Sequence, residues 1–175
     1  MIKDKNYSII SCSPENLITK KGSEISTKPI AGTVKKTKSL NKIKALNYFK
    51  KNIKETKEHN MIVDMERNDL SRVCKVVSVK LSKQKIVEEY KDLFHYVSLI
   101  KGKLKKGVKN IDIIKAMMPG GSVIGCPKIN TLNLLNNKEK ENRNIYTGSF
   151  GYIKFNEDMR FNIIIRSIKK KKNFS

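Results

Sequence analysis

Glu55 and Glu58 stand three residues apart in a stretch of helical spacing, which puts both carboxylates on one helix face. Carboxylates so placed can hold a hard divalent cation through oxygen, although among so many lysines the same spacing also suits a plain solvated face. A second candidate is Gly120-Gly121-Ser122-Val123-Ile124-Gly125-Cys126-Pro127-Lys128, a glycine-rich loop that opens a helix. Its free backbone N–H groups and the Lys128 ammonium can hold an anion. The spacing to the lysine is not that of a P-loop and no strand precedes it, and a plain turn is the alternative. His95 in an apolar run and Tyr146 in a strand-like run each have a bland reading, a hydrogen-bonded core residue and a cross-strand packing residue. Asp64, Arg67, Asn68 and Asp69 read as structural. Four polar residues at a helix end cap and pair more often than they react, and Asp64 and Arg67 are matched at i and i+3.

The elements that must position these groups follow from periodicity and punctuation. Tyr7 to Ile10 reads as a short strand, Leu17 to Thr27 as a polar hairpin around Lys21-Gly22, and Lys28 to Thr33 as a loop. Leu40, Ile43, Leu46, Phe49 and Ile53, then Met61, Val63, Met65 and Leu70, fall near helical spacing and predict two helices with a break near His59-Asn60. Val76 to Leu81 and Leu93 to Leu104 predict strands; Ile111 to Met118 predicts a helix stopped by Pro119-Gly120-Gly121, and Ile129 to Leu135 one opened by Pro127. Ile145 to Phe155 and Arg160 to Ile168 predict a hairpin around Asn156-Glu157-Asp158. The mixture is α+β, over residues 1–168, followed by a lysine-rich tail over 169–175 that is expected to be disordered.

At 175 residues and 38% hydrophobic content the chain is long and apolar enough for one real core. Its net charge of +22 would ordinarily suggest nucleic acid. The charge is nearly all lysine, however, with arginine only at Arg67, Arg72, Arg143, Arg160 and Arg166, and it is spread along the chain, which favours a solvated surface. Cys12, Cys74 and Cys126 are odd in number and far apart, without zinc spacing, which fits a reducing cytosol. No apolar run approaches the ~18 residues that span a bilayer, so a cytoplasmic location without membrane or nucleic-acid partners is expected.

Order and spacing of the segments together are more specific than any one of them. Pro29-Ile30-Ala31-Gly32-Thr33, the run from Glu55-x-x-Glu58-His59 through Arg67-Asn68-Asp69-Leu70 to Cys74, Phe94-His95-x-Val97-Ser98, Pro119 to Lys128, and Tyr146-x-Gly148 through Gly151-Tyr152 to Ile165-Arg166 follow one another in the chain. This series resembles the C-terminal catalytic region of chorismate-utilising enzymes, a family that includes component I of anthranilate synthase and of aminodeoxychorismate synthase, and the isochorismate and salicylate synthases. The resemblance runs from about Ser13 to Ser167.

The resemblance implies the chorismate-binding fold, with antiparallel sheets and helices outside, and a Mg2+ cofactor with Glu58 as direct ligand and Glu55 acting through water. Tyr146 and Arg166, placed on adjacent hairpin strands, would grip the enolpyruvyl carboxylate. Lys128, the amides around Gly125, and Gly148 would hold anionic groups of the substrate, and His95 and Thr33 would be catalytic. Chorismate carries two carboxylates and loses a ring hydroxyl, so such a site needs charge neutralisation, carboxylate donors and an acid. The implied partners are chorismate and ammonia from a glutamine amidotransferase subunit. Phe94-His95, Pro119 to Ser122, Thr147 to Tyr152 and Phe161-Asn162-Ile163 lean toward aminodeoxychorismate synthase and folate biosynthesis. Ala31 leans toward anthranilate synthase, because aminodeoxychorismate synthases commonly carry there a lysine whose amine can add to the ring. Arg160 departs from an aspartate common in relatives. Relatives also extend before the Ser-Pro-Glu segment and past the Ile-Arg-Ser strand, where a further glutamate completes the Mg2+ site, so the chain is expected to be a fragment, inactive or split. A basic binding protein, which leaves the five ordered motifs unexplained, and a noncatalytic remnant that still binds a glutamine amidotransferase partner are the other readings.

Overall fold

The chain is described by a computed structural model over residues 1–3 and 7–171. Its larger sheet is built on one long strand, β7 (Leu93–Lys103), in which every residue from Phe94 to Ser98 is buried. A strand covered on both faces reads as a near-continuous apolar run, and Leu-Phe-His-Tyr-Val-Ser-Leu-Ile is such a run. One edge of β7 pairs with β6 (Lys80–Glu89). Along its other edge lie β4 (Glu24–Lys28) and β5 (Ile30–Lys35), antiparallel from Glu24 opposite Lys103 to Lys35 opposite Leu93. Residues 28–33 are therefore no loop. Pro29 lacks an N–H to give the ladder, but its carbonyl accepts from the Ser98 N–H at 3.3 Å, so the strand pauses at Pro29 and continues.

β3 (Asn16–Lys21) forms the expected hairpin with β4 and pairs on its far side with β9 (Met159–Ile163), which pairs with β8 (Ser149–Ile153). A separate small sheet holds β1 (Ile2–Lys3), β2 (Tyr7–Ser11) and β10 (Ser167–Lys171). The run Arg160 to Ile168 is thus two strands in two sheets. Arg166 separates them: its φ is 49° and its carbonyl accepts from the Cys12 N–H at 3.2 Å, which turns the chain toward β2. Residues 169–171, assigned by composition to a disordered tail, extend β10 against Tyr7–Ile9, because the ladder uses backbone groups that lysine has like any other residue. Residues 172–175 of that tail lie outside the described residues.

Helices α1 (Lys42–Lys51) and α2 (Ile53–Val73) meet at Asn52, not near His59-Asn60. The Asn52 N–H donates to the Tyr48 and Phe49 carbonyls, closing α1, while its side-chain oxygen accepts from the Glu55 N–H at 3.1 Å, opening α2. The pattern Asn52-x-x-Glu55 is the sequence signal for that start. The predicted strand over 76–81 starts later: Ser78 closes a turn onto Lys75, and β6 runs from Lys80 through a polar stretch that hides an edge strand. α3 (Asn110–Met117), the single-turn α4 (Gly121–Ile124) and α5 (Lys128–Lys138) complete the fold.

Val63, Leu70 and Val73 of α2, with Ile113 and Met117 of α3, cover Leu17, Ile18, Ile25, Ile100, Met159 and Ile163 of the sheet. A second cluster joins Ala45 and Phe49 of α1 to Val87, Phe94 and Tyr96, with Phe49 stacked on Tyr96 at 4.8 Å. The architecture is α+β, antiparallel sheets with helices packed on them. No helix among the described residues is long and apolar enough to cross a membrane.

Candidate active site

The first turns of α2 lie over strand β5, and how closely they approach is set by Gly32. A Cβ at position 32 would stand 2.6 Å from a Phe49 ring carbon and 2.9 Å from Glu55 Oε2, so only glycine lets the glutamate carboxylate lie against the strand. Glu55, half-buried, and Glu58, exposed, then line one cavity of about 260 Å³ with Ala31, Gly32 and Thr33 of β5. Pro14 and Glu15 close it from the segment before β3, and Ile165 and Arg166 from the turn between the two sheets.

Behind β5, His95 of β7 pairs across the ladder with Thr33, and the two side chains meet, Thr33 Oγ1 to His95 Nδ1 at 2.8 Å. Either the hydroxyl donates to an unprotonated Nδ1 or Nδ1–H donates to the hydroxyl. Burial, and next the positive charge of Arg166, hold the His95 pKa below its ordinary value, so at neutral pH the ring is uncharged and able to accept a proton. Arg166 is exposed and forms no ion pair among the described residues, which leaves its planar guanidinium available to a carboxylate. A non-glycine residue at φ 49° stores strain, and here the Cys12–Arg166 backbone bond and the Ser167–Ser11 hydroxyl pair at 2.8 Å hold it in place.

Sequence reading missed Glu15. It is buried, lines the cavity, and burial raises its carboxyl pKa against the partial offset of hydrogen bonds and Arg166. A carboxyl whose neutral form is favoured by burial, in a cavity with an arginine, is a candidate proton donor. The Ser13-Pro14-Glu15 segment was the available signal.

Five expected site residues do not line this cavity: His95, which lies behind β5, and Tyr146, Gly148, Gly125 and Lys128. Tyr146, 58% exposed, sits in a turn before β8 instead of on a strand, and Gly148 in the same turn uses both backbone groups, its N–H to Ile145 and its carbonyl to Ile164. Gly125, at φ 116°, spends its amide closing α4 onto the Gly121 carbonyl at 2.9 Å. The Lys128 ammonium is bound by the buried Asp69 carboxylate and reaches the Met117 carbonyl at 3.5 Å, so it ties the glycine-rich loop to α2. Asp69 is therefore more than a helix-end cap. Beside it Glu66, 2% exposed, accepts from the Thr27 hydroxyl at 3.1 Å, and its pKa is pushed up to about 8 by burial first and the Asp69 charge second. Asp64 and Arg67 pair as expected, at 3.4 Å on the surface.

For a Mg2+ ion the donor set is Glu55 and Glu58, with no group of three or more metal-binding side chains among the described residues. Two carboxylates on an open cavity match the way Mg2+ is usually held, by one or two carboxylates with water and substrate oxygens filling the rest. The residues present fit the ion.

Known proteins resemble the chain over nearly all its length. It is 42% identical over 168 residues to aminodeoxychorismate synthase component 1 of Bacillus subtilis, covering 95% of this chain and 36% of that protein. It is 41% identical over 164 residues to anthranilate synthase component 1 of Arthrobacter globiformis, covering 93% and 31%. The crystal structure of anthranilate synthase component I from Streptococcus pneumoniae superposes with a TM-score of 0.83 at 36% identity, over 94% of this chain and 36% of that one. The chain spans about a third of the length of the curated relatives it matches. A family model described as chorismate binding enzyme matches residues 1–175, and the chain belongs to the chorismate binding enzyme family.

Proposed function

We propose that the chain is the catalytic region of a cytoplasmic enzyme that aminates chorismate to 4-amino-4-deoxychorismate, using Mg2+ and ammonia supplied by a glutamine amidotransferase subunit. The observation that carries this reading is the convergence of Glu55, Glu58, Thr33 and Arg166 on one cavity, with His95 bonded to Thr33 beneath it. The Arg166 guanidinium takes the enolpyruvyl carboxylate in a two-pronged contact. Glu58 as direct ligand and Glu55 through water would hold Mg2+, whose charge would neutralise carboxylate charge near the ring. Glu15, in the protonated form that burial favours, gives its proton to the departing ring oxygen, and neutral His95 with the Thr33 hydroxyl holds or accepts a proton at Nδ1. Similarity to the Bacillus subtilis protein supports the 4-amino product.

Anthranilate formation is the second reading, favoured by Ala31: it lines the cavity without an amine that could add to the ring, which leaves ammonia to add directly. The test is a full-length relative carrying residues 13–167 of this chain, given chorismate, Mg2+ and ammonia. Chromatography should show 4-amino-4-deoxychorismate as the main product, with more of it after Ala31→Lys. Anthranilate and pyruvate as dominant products would establish the second reading instead.

A further inference from the structure

Away from the cavity, α1 and β6 form the two banks of a groove of about 830 Å³. Helix α1 has two apolar faces. Ala45 and Phe49 enter the core, whereas Ile43, 71% exposed, and the partly buried Leu46 lie three apart and face the groove together with Ile86 and Val87 of β6. Lys42 and Lys50 stand on the helix bank, Lys83 and Lys85 on the strand bank. None of these four ammonium groups has an ion-pair partner among the described residues, although Lys28 and Lys36 nearby do, with Glu88 and Glu89.

The groove is preformed. β6 advances five residues, from Leu81 to Ile86, while β7 advances three, from Ile100 to Val97, so two extra residues bulge out of the ladder at the groove wall. Lys85 takes the left-handed φ of 49° there, and its N–H donates to the buried Ser98 hydroxyl at 3.0 Å, which in turn bonds to the buried His59 Nε2 at 2.6 Å. A bulge fastened to two buried side chains keeps its shape without a ligand, which lowers the cost of filling the groove.

We propose that this groove docks an acidic amphipathic helix of a partner protein, with apolar residues on Ile43, Leu46 and Ile86 and carboxylates facing the lysine banks. Charge complementarity argues for an acidic partner. The apolar floor argues for a helix over a nucleic acid, whose phosphates would use the lysines and leave Ile43 in water.

The test uses the 175-residue chain and a fluorescent synthetic peptide of about 15 residues, with leucines at helical spacing flanked by glutamates, against a scrambled peptide of the same composition. At about 0.15 M salt the amphipathic peptide should bind at least about tenfold more tightly than the scrambled one. Lys50→Glu with Lys83→Glu should weaken it about tenfold, and Ile43→Ser about fivefold, with the circular dichroism of both variants unchanged because these side chains are exposed. Equal binding of the two peptides overturns the proposal, as does indifference to Ile43→Ser. Tighter binding of a single-stranded oligonucleotide than of the peptide also overturns it, and identifies a phosphate-binding surface instead.

Discussion

Glu66→Gln should remove the loss of stability that the folded chain suffers above neutral pH. Folding raises the Glu66 pKa from 4.5 to about 8, chiefly by burial, so the folded state keeps a proton that the unfolded state releases. A group raised in this way contributes stability that is fully present below 4.5 and is lost as pH climbs to about 8. His59 works in the opposite sense: burial lowers its pKa from 6.5 to about 4, so its contribution is present above 6.5 and is lost as pH falls. Between 4.5 and 6.5 the two slopes oppose each other; from 6.5 to about 8 the Glu66 slope is unopposed by His59. At ~1.36 kcal/mol per pH unit, that window is worth about 2 kcal/mol, a large share of a total stability of ~5–15 kcal/mol. Glutamine keeps the shape and an oxygen for the Thr27 hydroxyl, and has no proton to lose. Urea denaturation of both proteins at about pH 6.5 and about pH 8 measures the effect. The wild type should lose about 2 kcal/mol between the two, and Glu66→Gln much less. Parallel losses in the two proteins would refute the assignment of the slope to Glu66.

Other consequences are more local. Glu58→Gln should abolish Mg2+ binding measured by calorimetry while Glu55→Gln only weakens it, by about tenfold, if the former is the direct ligand; equal losses would reverse that assignment. Asn52→Ala removes the side-chain oxygen that accepts from the Glu55 N–H and should cost about 1 kcal/mol in thermal or urea unfolding. Gly32→Ala puts a methyl group 2.6 Å from Phe49 and 2.9 Å from Glu55 Oε2, so it should destabilise the fold by about 1–3 kcal/mol and weaken Mg2+ binding in the same protein.

The sequence by itself determined the α+β class, the β3–β4 hairpin, α3, the structural pairing of Asp64 with Arg67, and family membership, because these rest on local spacing and on motif order, both of which lie along the chain. It also held signals that went unread, such as Asn52-x-x-Glu55 for the helix start and Ser13-Pro14-Glu15 for a buried acid. Only the tertiary structure decided what Pro29 and Gly32 do, since their turn-like character is overridden by a ladder to residues more than sixty positions away. The same holds for Lys128. In one dimension it is a cation after a glycine-rich loop, free to hold an anion; in three it is claimed by Asp69, fifty-nine residues earlier, because a buried carboxylate needs a partner and the nearest cation supplies it. The convergence of Glu15, Thr33, Glu55, Glu58 and Arg166 on one cavity is likewise a product of chain crossing: five side chains from four segments meet only when β3, β5, α2 and the turn after β9 are packed together.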